Sequence, residues 1–480
     1  MNRRMVLSMV GKVVLLEAAL MLPALITSII YKESCTVDFA VSIGICLVTG
    51  FLLTVIFKPS SKVFFAKEGF VIVALCWIAL SALGALPFYI SGEIPSYIDA
   101  FFETASGFST TGASILTDVE AMSKGLLFWR SFTHWVGGMG VLVFVLAVVN
   151  SHSDRSIHIL RAESPGPVVG KLVPKMKQTT RILYIIYIAL TLLNMIFLLI
   201  GGMPLFDSIV HAIGTAGTGG FGIKADSFAS YSPYLQWVTT VFMFLFGVNF
   251  NIYYLVLLRK LRSVLKSTEL KVYLGIIFVS ILSVCINIRP LFDSLSQALR
   301  HAAFQIGTVI STTGFATADF NQWPSFSKTV IFLLMFMGGC AGSTAGGFKC
   351  ARVVLLVKAV RREVKKLLHP RSVNVLRFEG KSLEDQTVSS VTSYAIVYIM
   401  LICVAFISIS LDGFDFETNL TAAVSCANNI GPAFGAAGPA SNYADFSSLS
   451  KLILSFTMLF GRLEIYPMLI ALSPSTWSKK

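Results

Sequence analysis

Apolar and polar segments alternate along this chain of 480 residues in a pattern typical of membrane-spanning helices. A helix needs about 20 consecutive apolar residues to cross the hydrocarbon core of a bilayer. Ten stretches approach that length, and they cover residues 11–31, 37–57, 70–91, 126–150, 181–201, 235–258, 272–288, 329–356, 394–411 and 449–472. The sequence therefore predicts an all-α integral membrane protein with ten spanning helices.

The composition agrees with this prediction. Hydrophobic residues make up 55% of the chain and charged residues only 13%, whereas soluble domains carry about 25% charged residues. The eight cysteines are scattered without a CxxC pair, and the six histidines show no metal-ligand spacing. These figures exclude an intrinsically disordered chain and a disulfide scaffold, and we expect no zinc, haem or iron–sulfur centre.

The net charge of +13 is concentrated on one side of the predicted membrane topology. Six segments hold 27 of the 38 lysines and arginines, namely the N-terminus and residues 58–68, 151–181, 259–271, 358–386 and 479–480. By the positive-inside rule these segments face the cytoplasm, and both termini are predicted to be cytoplasmic. No such segment is long enough for a catalytic or nucleic-acid-binding domain, so nucleic acid is not an expected partner.

A unit of spanning helix, short apolar helix, glycine-containing string and spanning helix is predicted four times. The short helices, which cannot cross a bilayer, are predicted at Tyr97–Phe108, Pro204–Gly214, Leu291–Ser311 and Glu417–Asn428. The glycine-containing strings are Thr110–Ala113, Gly217–Gly220, Thr312–Phe315 and Asn429–Pro432. Aligned on a central glycine, they place Gly112, Gly219, Gly314 and Gly431 in register. This pattern predicts four pseudo-repeats around a central pore, preceded by two extra helices, with boundaries at 1–66, 67–150, 151–258, 259–386 and 387–480.

Irregular backbone at membrane depth is tolerated only where it is buried in protein or lines water. Four re-entrant strings around one axis would direct carbonyl oxygens at a pore, and such oxygens can replace the water shell of a monovalent cation. The C-terminal ends of the short helices would add partial negative charge. An acidic outer mouth that concentrates cations is also expected, formed by Asp99, Glu103, Asp118, Glu120, Asp207, Asp226, Asp293, Asp319, Asp415, Glu417 and Asp445.

Several stretches of the sequence carry a resemblance to a known family. They are AFFETASGFSTTGAS (100–114), LRHAAFQ (299–305), STTGFATADFNQWP (311–324), GGCAGSTAGGFK (338–349), NNIGPAFG (428–435) and GRLEIYP (461–467). In these residues the chain resembles the Trk/Ktr/HKT superfamily of potassium-translocating subunits, specifically the bacterial TrkH/TrkG type, over essentially its whole length. The two extra N-terminal helices are similar to that type as well.

The resemblance implies a potassium selectivity filter lined by backbone oxygens. Family members with serine at the first key position tend to favour sodium, whereas all four positions are glycine here, which favours potassium and implies that rubidium is accepted. Ile430 stands where threonine is expected, and this suggests one main dehydrated ion position. The implied cation-binding residues are Thr110, Thr111, Gly112, Gly217, Thr218, Gly219, Thr312, Thr313, Gly314, Asn429, Ile430 and Gly431.

The eighth apolar stretch contains five glycines in ten residues. Composition alone leaves open a helix that packs closely through small residues. The resemblance favours a helix broken at mid-membrane, whose loop closes the pore and is held by Arg462. For Arg462 the alternative is a structural ion pair, although Glu464 is a poor partner at a spacing of two residues. The implied gate residues are Gly338, Gly339, Gly342, Ser343, Thr344, Gly346, Gly347, Lys349 and Arg462.

The resemblance further implies a bacterial inner-membrane protein that works as a homodimer with a cytosolic TrkA-type regulatory subunit carrying nucleotide-binding domains. The basic segment 358–386 is either the docking surface of that subunit or a contact with anionic lipids. We expect potassium as substrate, no covalent cofactor and no enzymatic activity, because no catalytic constellation is visible at membrane depth. A gated channel and a proton- or sodium-coupled symporter both remain open, with Glu17 and Glu464 as the acids within the spans.

Overall fold

The computed structural model describes residues 1–59, 65–140, 176–371 and 375–478, which form an almost entirely helical protein. Within these ranges six helices are long and apolar enough to cross a membrane: Arg3–Tyr31, Thr36–Ile56, Ala66–Ile90, Thr180–Ile200, Thr268–Leu291 and Asp385–Asp412. Large apolar side chains such as Ile30, Phe278 and Val404 are exposed on them. The predicted all-α membrane class is confirmed.

These six helices correspond to the first, second, third, fifth, seventh and ninth predicted spans. The first is Arg3–Leu20 followed by Leu22–Tyr31, and the third is Ala66–Gly84 followed by Leu86–Ile90. In both, a proline near the start of the second part accounts for the interruption, since proline lacks the amide that would continue the helix. The remaining long helices are Thr36–Ile56, Met176–Ile200, Thr268–Ile288 and Asp385–Ile409.

The fourth predicted span is described only in part. Helix Lys124–Gly138 covers its first half, and residues 141–150 lie outside the described residues. The basic segment 151–181 lies largely outside them too.

The prediction of one continuous sixth span over 235–258 is wrong. Helices Pro233–Phe246 and Phe250–Leu257 meet at an angle of 92°. Backbone groups freed at this break bond to another segment: the Gly247 carbonyl accepts from the Cys340 amide at 2.9 Å, and the Phe250 amide donates to the Gly342 carbonyl at 3.0 Å. These bonds explain how a break inside an apolar run is tolerated.

The eighth and tenth spans are broken as well. Helices Ser325–Met335 and Cys350–Leu368 flank an irregular segment, residues 336–349, which we call the gate loop. The tenth span, predicted as continuous, consists of Ser448–Arg462 and Tyr466–Leu472. Glu464 and Ile465 have φ of 56° and 64° between these helices, and such left-handed residues cannot continue a right-handed helix. Ten uninterrupted spanning helices are therefore not observed.

All four short helices are present, and we call them pore helices 1 to 4. They are Tyr97–Phe108, Leu205–Gly217, Leu295–Ile310 and Phe416–Asn428. The third begins four residues later than predicted, because Arg289–Leu291 forms a 3₁₀ turn and the side chain of Ser294 accepts a bond from the Gln297 amide, which caps the helix. Shorter elements are the helices Leu261–Lys266 and Pro474–Trp477 and the 3₁₀ turns Phe320–Gln322, Ser410–Asp412 and Gly435–Ala437.

The N-terminal helices pack through small residues. A Cβ atom built on Gly11 would lie 2.9 Å from the Gly50 carbonyl oxygen, so the first and second spans approach to backbone contact. Elsewhere in the fold, strands Arg377–Phe378 and Lys381–Ser382 pair as an antiparallel hairpin. This hairpin, a small departure from the all-α prediction, lies in the basic segment 358–386.

Candidate functional site

Each pore helix ends in the same backbone conformation. In the structure, the strings that follow the pore helices are residues 110–112, 218–220, 312–314 and 429–431. The first residue of each string is left-handed, with φ between 54° and 57°, and its amide bonds to the carbonyl three positions back. The next amide bonds to the carbonyl five positions back, as the Thr111 amide does to Ser106 at 2.9 Å. All four pore helices therefore end in the same type of C-cap. The first residues of the four strings are Thr110, Thr218, Thr312 and Asn429.

A glycine two positions after each first residue also has positive φ. These glycines are Gly112 (80°), Gly220 (77°), Gly314 (91°) and Gly431 (99°). The structure thus corrects the sequence alignment of the second string: Gly220, and not Gly219, is equivalent to the other three. The alignment on Gly219 was wrong by one residue because a run of two glycines offers two choices and only the backbone conformation separates them.

The corrected register also changes the position at which the repeats differ. In this register Ile430 is equivalent to Thr111, Gly219 and Thr313. The second repeat thus has glycine at this position, so the prediction that the other three repeats carry threonine there is wrong. It is Asn429 that replaces a threonine common to the other three strings. The Asn429 amide group donates to the Thr111 hydroxyl at 3.0 Å and to the Met458 carbonyl at 2.9 Å, which ties the fourth string to the first.

The four strings form a closed ring. A Cβ atom built on any of the four glycines would lie less than 3.0 Å from a carbonyl oxygen of the next string. Around the ring, Gly112 faces the Gly219 carbonyl, Gly220 that of Thr313, Gly314 that of Ile430, and Gly431 that of Thr111. Because the fourth contact returns to the first string, the strings surround one axis. Glycine is required at these positions both by φ and by space.

Side chains behind the ring hold its backbone in place. The Ser109 and Thr111 hydroxyls are 2.7 Å apart, and so are those of Ser311 and Thr313. The Tyr443 hydroxyl donates to the Gly431 carbonyl at 2.9 Å. These contacts tie hydroxyl groups of the strings and the Gly431 carbonyl to the protein behind the ring.

His134 fills the space beside the second string. Its Nδ1 lies 2.7 Å from the Gly107 carbonyl, and a Cβ on Gly219 would lie within 3.0 Å of its ring. Gly219 is therefore a glycine because the imidazole occupies the place of a side chain. The sequence contained both residues but no signal that they are in contact.

The gate loop lies against the third and fourth strings. The Gly346 amide donates to the Thr312 hydroxyl at 2.6 Å, and a Cβ on Gly346 would lie 2.6 Å from the Asn428 carbonyl. Gly338, Gly342 and Gly347 have positive φ, so the glycine-rich composition reflects an irregular backbone rather than a packed helix. The broken helix predicted at this place is observed.

Two cations, the buried Lys349 and the half-buried Arg462, hold the gate loop through its carbonyl groups. The Lys349 ammonium donates to the Ala345 carbonyl, four residues earlier in the loop. The Arg462 guanidinium donates to the Thr344 carbonyl at 2.8 Å and to the Gly137 and Gly138 carbonyls at 2.7 Å each. Arg462 therefore joins the loop to the first repeat.

Glu464 pairs with a residue that sequence reasoning did not single out. Its carboxylate is in an ion pair with Arg352, at the start of the helix that follows the gate loop. The expectation that Glu464 is a poor partner for Arg462 agrees with this geometry. Arg352 could have been noticed as a charge near the end of a span, where charges are costly unless paired.

The acidic outer mouth is only partly as expected. Glu103 is buried, and its carboxylate pairs with the Arg130 guanidinium at 2.5 Å and accepts from the Ile115 amide at 3.0 Å. Asp99 pairs with Lys451 at 2.8 Å and Glu417 with Lys328 at 2.5 Å. These three carboxylates are neutralised and Glu103 is removed from the mouth, because each lies beside a cation distant in sequence. Asp118, Glu120, Asp226, Asp293, Asp415 and Asp445 are exposed.

In the described part of the chain, no group of three or more His, Cys, Asp or Glu residues could hold a metal ion. The residues of the ring are uncharged, and their oxygen atoms belong to backbone carbonyls and to side-chain hydroxyl and amide groups. Uncharged oxygens suit a weakly hydrated monovalent cation that must bind and leave again.

A family model described as TrkH, a cation transport protein, matches residues 37–480. The chain belongs to the TrkH family. It is 32% identical to the Trk system potassium uptake protein TrkH of Salmonella typhimurium, over 99% of this chain and 100% of that protein. It is 33% identical to the Trk system potassium uptake protein TrkG of Escherichia coli, over 99% of this chain and 98% of that one.

The fold is similar to a solved member of the family. The crystal structure of the potassium transporter TrkH from Vibrio parahaemolyticus matches with a TM-score of 0.89 and 29% identity, covering 100% of both chains. The resemblance noted in the sequence is thus confirmed over the full length. Membership of a transport family also confirms that the chain is not an enzyme.

Proposed function

We propose that this TrkH family member takes up potassium across the bacterial inner membrane through the ring of four strings. The observation that carries the proposal is the closed cycle of glycine–carbonyl contacts between repeats. Backbone carbonyls directed at one axis can replace the hydration shell of a potassium ion, and positive φ at each glycine gives the string the curvature this requires. The relatives named as potassium uptake proteins support the choice of ion.

We propose that the cation-binding groups are those of residues 110–112, 218–220, 312–314 and 429–431, with Gly217 supporting the second string. The pore helices direct their C-terminal ends at the ring, which adds partial negative charge for a cation. Because the ring departs from fourfold symmetry at Asn429 and Ile430, one position is expected to bind the dehydrated ion best. Rubidium, similar to potassium in size and charge, is expected to pass.

In this proposal the gate loop closes the pore on the cytoplasmic side of the ring. Its contacts with Thr312 and Asn428 support this position, and Lys349 and Arg462 would add positive charge that opposes cation passage. Opening requires the loop to leave the carbonyls of the filter and the guanidinium of Arg462. We therefore propose a gated channel driven by the membrane potential, with a proton- or sodium-coupled symporter as the alternative.

We propose that the protein works as a homodimer with a cytosolic, nucleotide-binding regulatory subunit. The exposed cations near the end of helix Cys350–Leu368 and after it suit an acidic protein surface or anionic lipids. These cations, with the other basic segments, also place both termini in the cytoplasm by the positive-inside rule.

The proposal predicts that purified protein in proteoliposomes carries potassium and rubidium in preference to sodium and lithium. Gly112→Ser should lower the potassium-to-sodium flux ratio about tenfold or more, because a side chain there displaces the Gly219 carbonyl and a shift of about 1.4 kcal/mol already changes a ratio tenfold. Gly92→Ser is the matched control, since that glycine also has positive φ but lies in open space.

Equal flux of all four ions, or an unchanged potassium-to-sodium flux ratio in Gly112→Ser, would contradict the filter.

The same vesicles test the alternative of a symporter. With potassium equal on both sides, uptake driven by a proton or sodium gradient would identify coupling, whereas a channel responds only to the membrane potential. Glu17 is the candidate acid for coupling, since it is buried in the first helix and neither carboxylate oxygen has a hydrogen-bond partner within the described residues.

A further inference from the structure

A buried carboxylate connects the gate loop to the helix that follows it. Glu269 lies in the first turn of helix Thr268–Ile288 and is 5% exposed. Its Oε1 accepts hydrogen bonds from the Ala341 amide at 2.7 Å and from the Ala351 amide at 3.0 Å. Ala341 lies within the gate loop, and Ala351 lies in the first turn of helix Cys350–Leu368. One oxygen atom therefore binds the backbone of the gate loop and the backbone of the helix after it, and so fixes the distance between them.

The hairpin formed by residues 376–383 binds the backbone of the same glutamate. The exposed Glu379, at the hairpin turn, accepts from the Glu269 amide at 3.0 Å and from the Ser267 hydroxyl at 3.2 Å. The first of these bonds satisfies an amide of the helix N-terminus, where the amides have no partners within the helix. The position of the hairpin and the position of the Glu269 side chain are thus determined together.

A second contact joins the hairpin to the helix after the gate loop. The Lys358 ammonium donates to the Arg377 carbonyl at 2.9 Å, and Leu376 and Phe378 belong to the same buried apolar cluster as Val354 and Leu355 of that helix. A displacement of the hairpin would act on both sides of Ala351, through Glu269 and through helix Cys350–Leu368.

We propose that Glu269 is a positioning residue for the gate loop and that Glu379 of the hairpin acts on the loop through it. The carboxylate of Glu269 holds the loop in its closed position, and movement of the hairpin away from Ser267 loosens that hold. The hairpin is therefore the place where a cytosolic partner can open or close the pore without touching the membrane-embedded loop. This inference rests on the proposed gate function of residues 336–349.

The test is rubidium flux in proteoliposomes without any partner subunit. Glu269→Ala should raise basal flux about tenfold, as expected when a buried charge-assisted hydrogen bond to the loop is lost, while the potassium-to-sodium ratio stays at the wild-type value. Glu269→Gln should restore low flux, because its amide oxygen can accept both bonds. An unspecific loss of structure would disturb selectivity and would not be rescued by glutamine.

Glu379→Ala tests the second half of the inference. It should raise flux less than Glu269→Ala, and the double variant should leak no more than Glu269→Ala alone, because both act through one contact. The matched control is Glu384→Ala, which removes an exposed carboxylate from the same segment where it makes no capping bond. That variant should conduct like the wild type.

The possible results separate this inference from the proposal on which it rests. If Arg462→Ala leaks and Glu269→Ala does not, the gate stands and the link through Glu269 is overturned. If neither leaks, the gate is overturned and the link with it. Should Glu269→Ala not yield folded protein, Glu379→Ala on the exposed turn decides, and a flux equal to that of the control would overturn the coupling.

Discussion

Gly220→Ala is expected to lower potassium flux at least tenfold, although sequence alignment did not single out Gly220. The residue has φ of 77°, and a Cβ atom there would lie within 3.0 Å of the Thr313 carbonyl. A left-handed conformation costs a residue with a side chain roughly 1–2 kcal/mol, and the steric conflict with a filter carbonyl adds to this. About 1.4 kcal/mol is already a factor of ten. Potassium flux in proteoliposomes measures the effect.

Gly222→Ala is the matched control for this prediction. Gly222 lies two residues further on, and the nearest atom to a Cβ there is 3.7 Å away, so flux should remain near the wild-type value. If Gly220→Ala conducts like Gly222→Ala, the register of the second string assigned here is wrong.

A double variant separates Gly220 from its neighbour. Gly219→Ala should also impair flux, but for a different reason, because its Cβ would meet the His134 ring. His134→Ala removes that obstacle and should partly restore flux in Gly219→Ala. It should not restore flux in Gly220→Ala, whose obstacle is the Thr313 backbone. Equal rescue of both variants would contradict the geometry of the ring.

Arg462→Ala is expected to raise basal cation flux about ten- to a hundredfold without changing the potassium-to-sodium ratio. A hydrogen bond from a charged group contributes about 1.5–3 kcal/mol, and Arg462 donates one such bond to the gate loop, at the Thr344 carbonyl. Its loss shifts the loop towards the open position by the corresponding factor. Rubidium flux in the absence of a regulatory subunit is the direct measurement.

The control for this prediction is Arg361→Ala, which removes an exposed arginine beyond the membrane-spanning part of helix Cys350–Leu368. Arg462→Lys should give an intermediate leak, because an ammonium group cannot match the planar guanidinium that reaches three carbonyls. A flux in Arg462→Ala equal to that of the control would show that the loop is not a gate held by this residue.

Most of the fold could be predicted because hydropathy and helix length are local properties of the sequence. The four pore helices were found in this way, whereas the break in the eighth span was favoured by the family resemblance. The bend at 247–249 could not, since its cause is a pair of backbone hydrogen bonds to Cys340 and Gly342, about 90 residues away. An apolar run gives no sign that its backbone groups have partners elsewhere.

The candidate site was predicted where a motif repeats and was missed where it depends on contacts distant in sequence. Gly219 was aligned in place of Gly220 because residue type alone does not reveal φ. Glu103 was placed in the outer mouth, and the sequence contained no sign of its contact with Arg130. Glu269 was not singled out from the sequence, because its contacts are with amides more than 70 residues away.

The central claim is that a cation binds at the ring of string carbonyls. Anomalous diffraction from crystals of the protein grown in a rubidium salt tests it most directly, because rubidium substitutes for potassium and its position is measured without assumption. We expect one dominant peak on the axis, within coordination distance of the Thr111, Gly219, Thr313 and Ile430 carbonyl oxygens. A dominant peak away from these oxygens, or no peak on the axis in protein that conducts rubidium, would contradict the account.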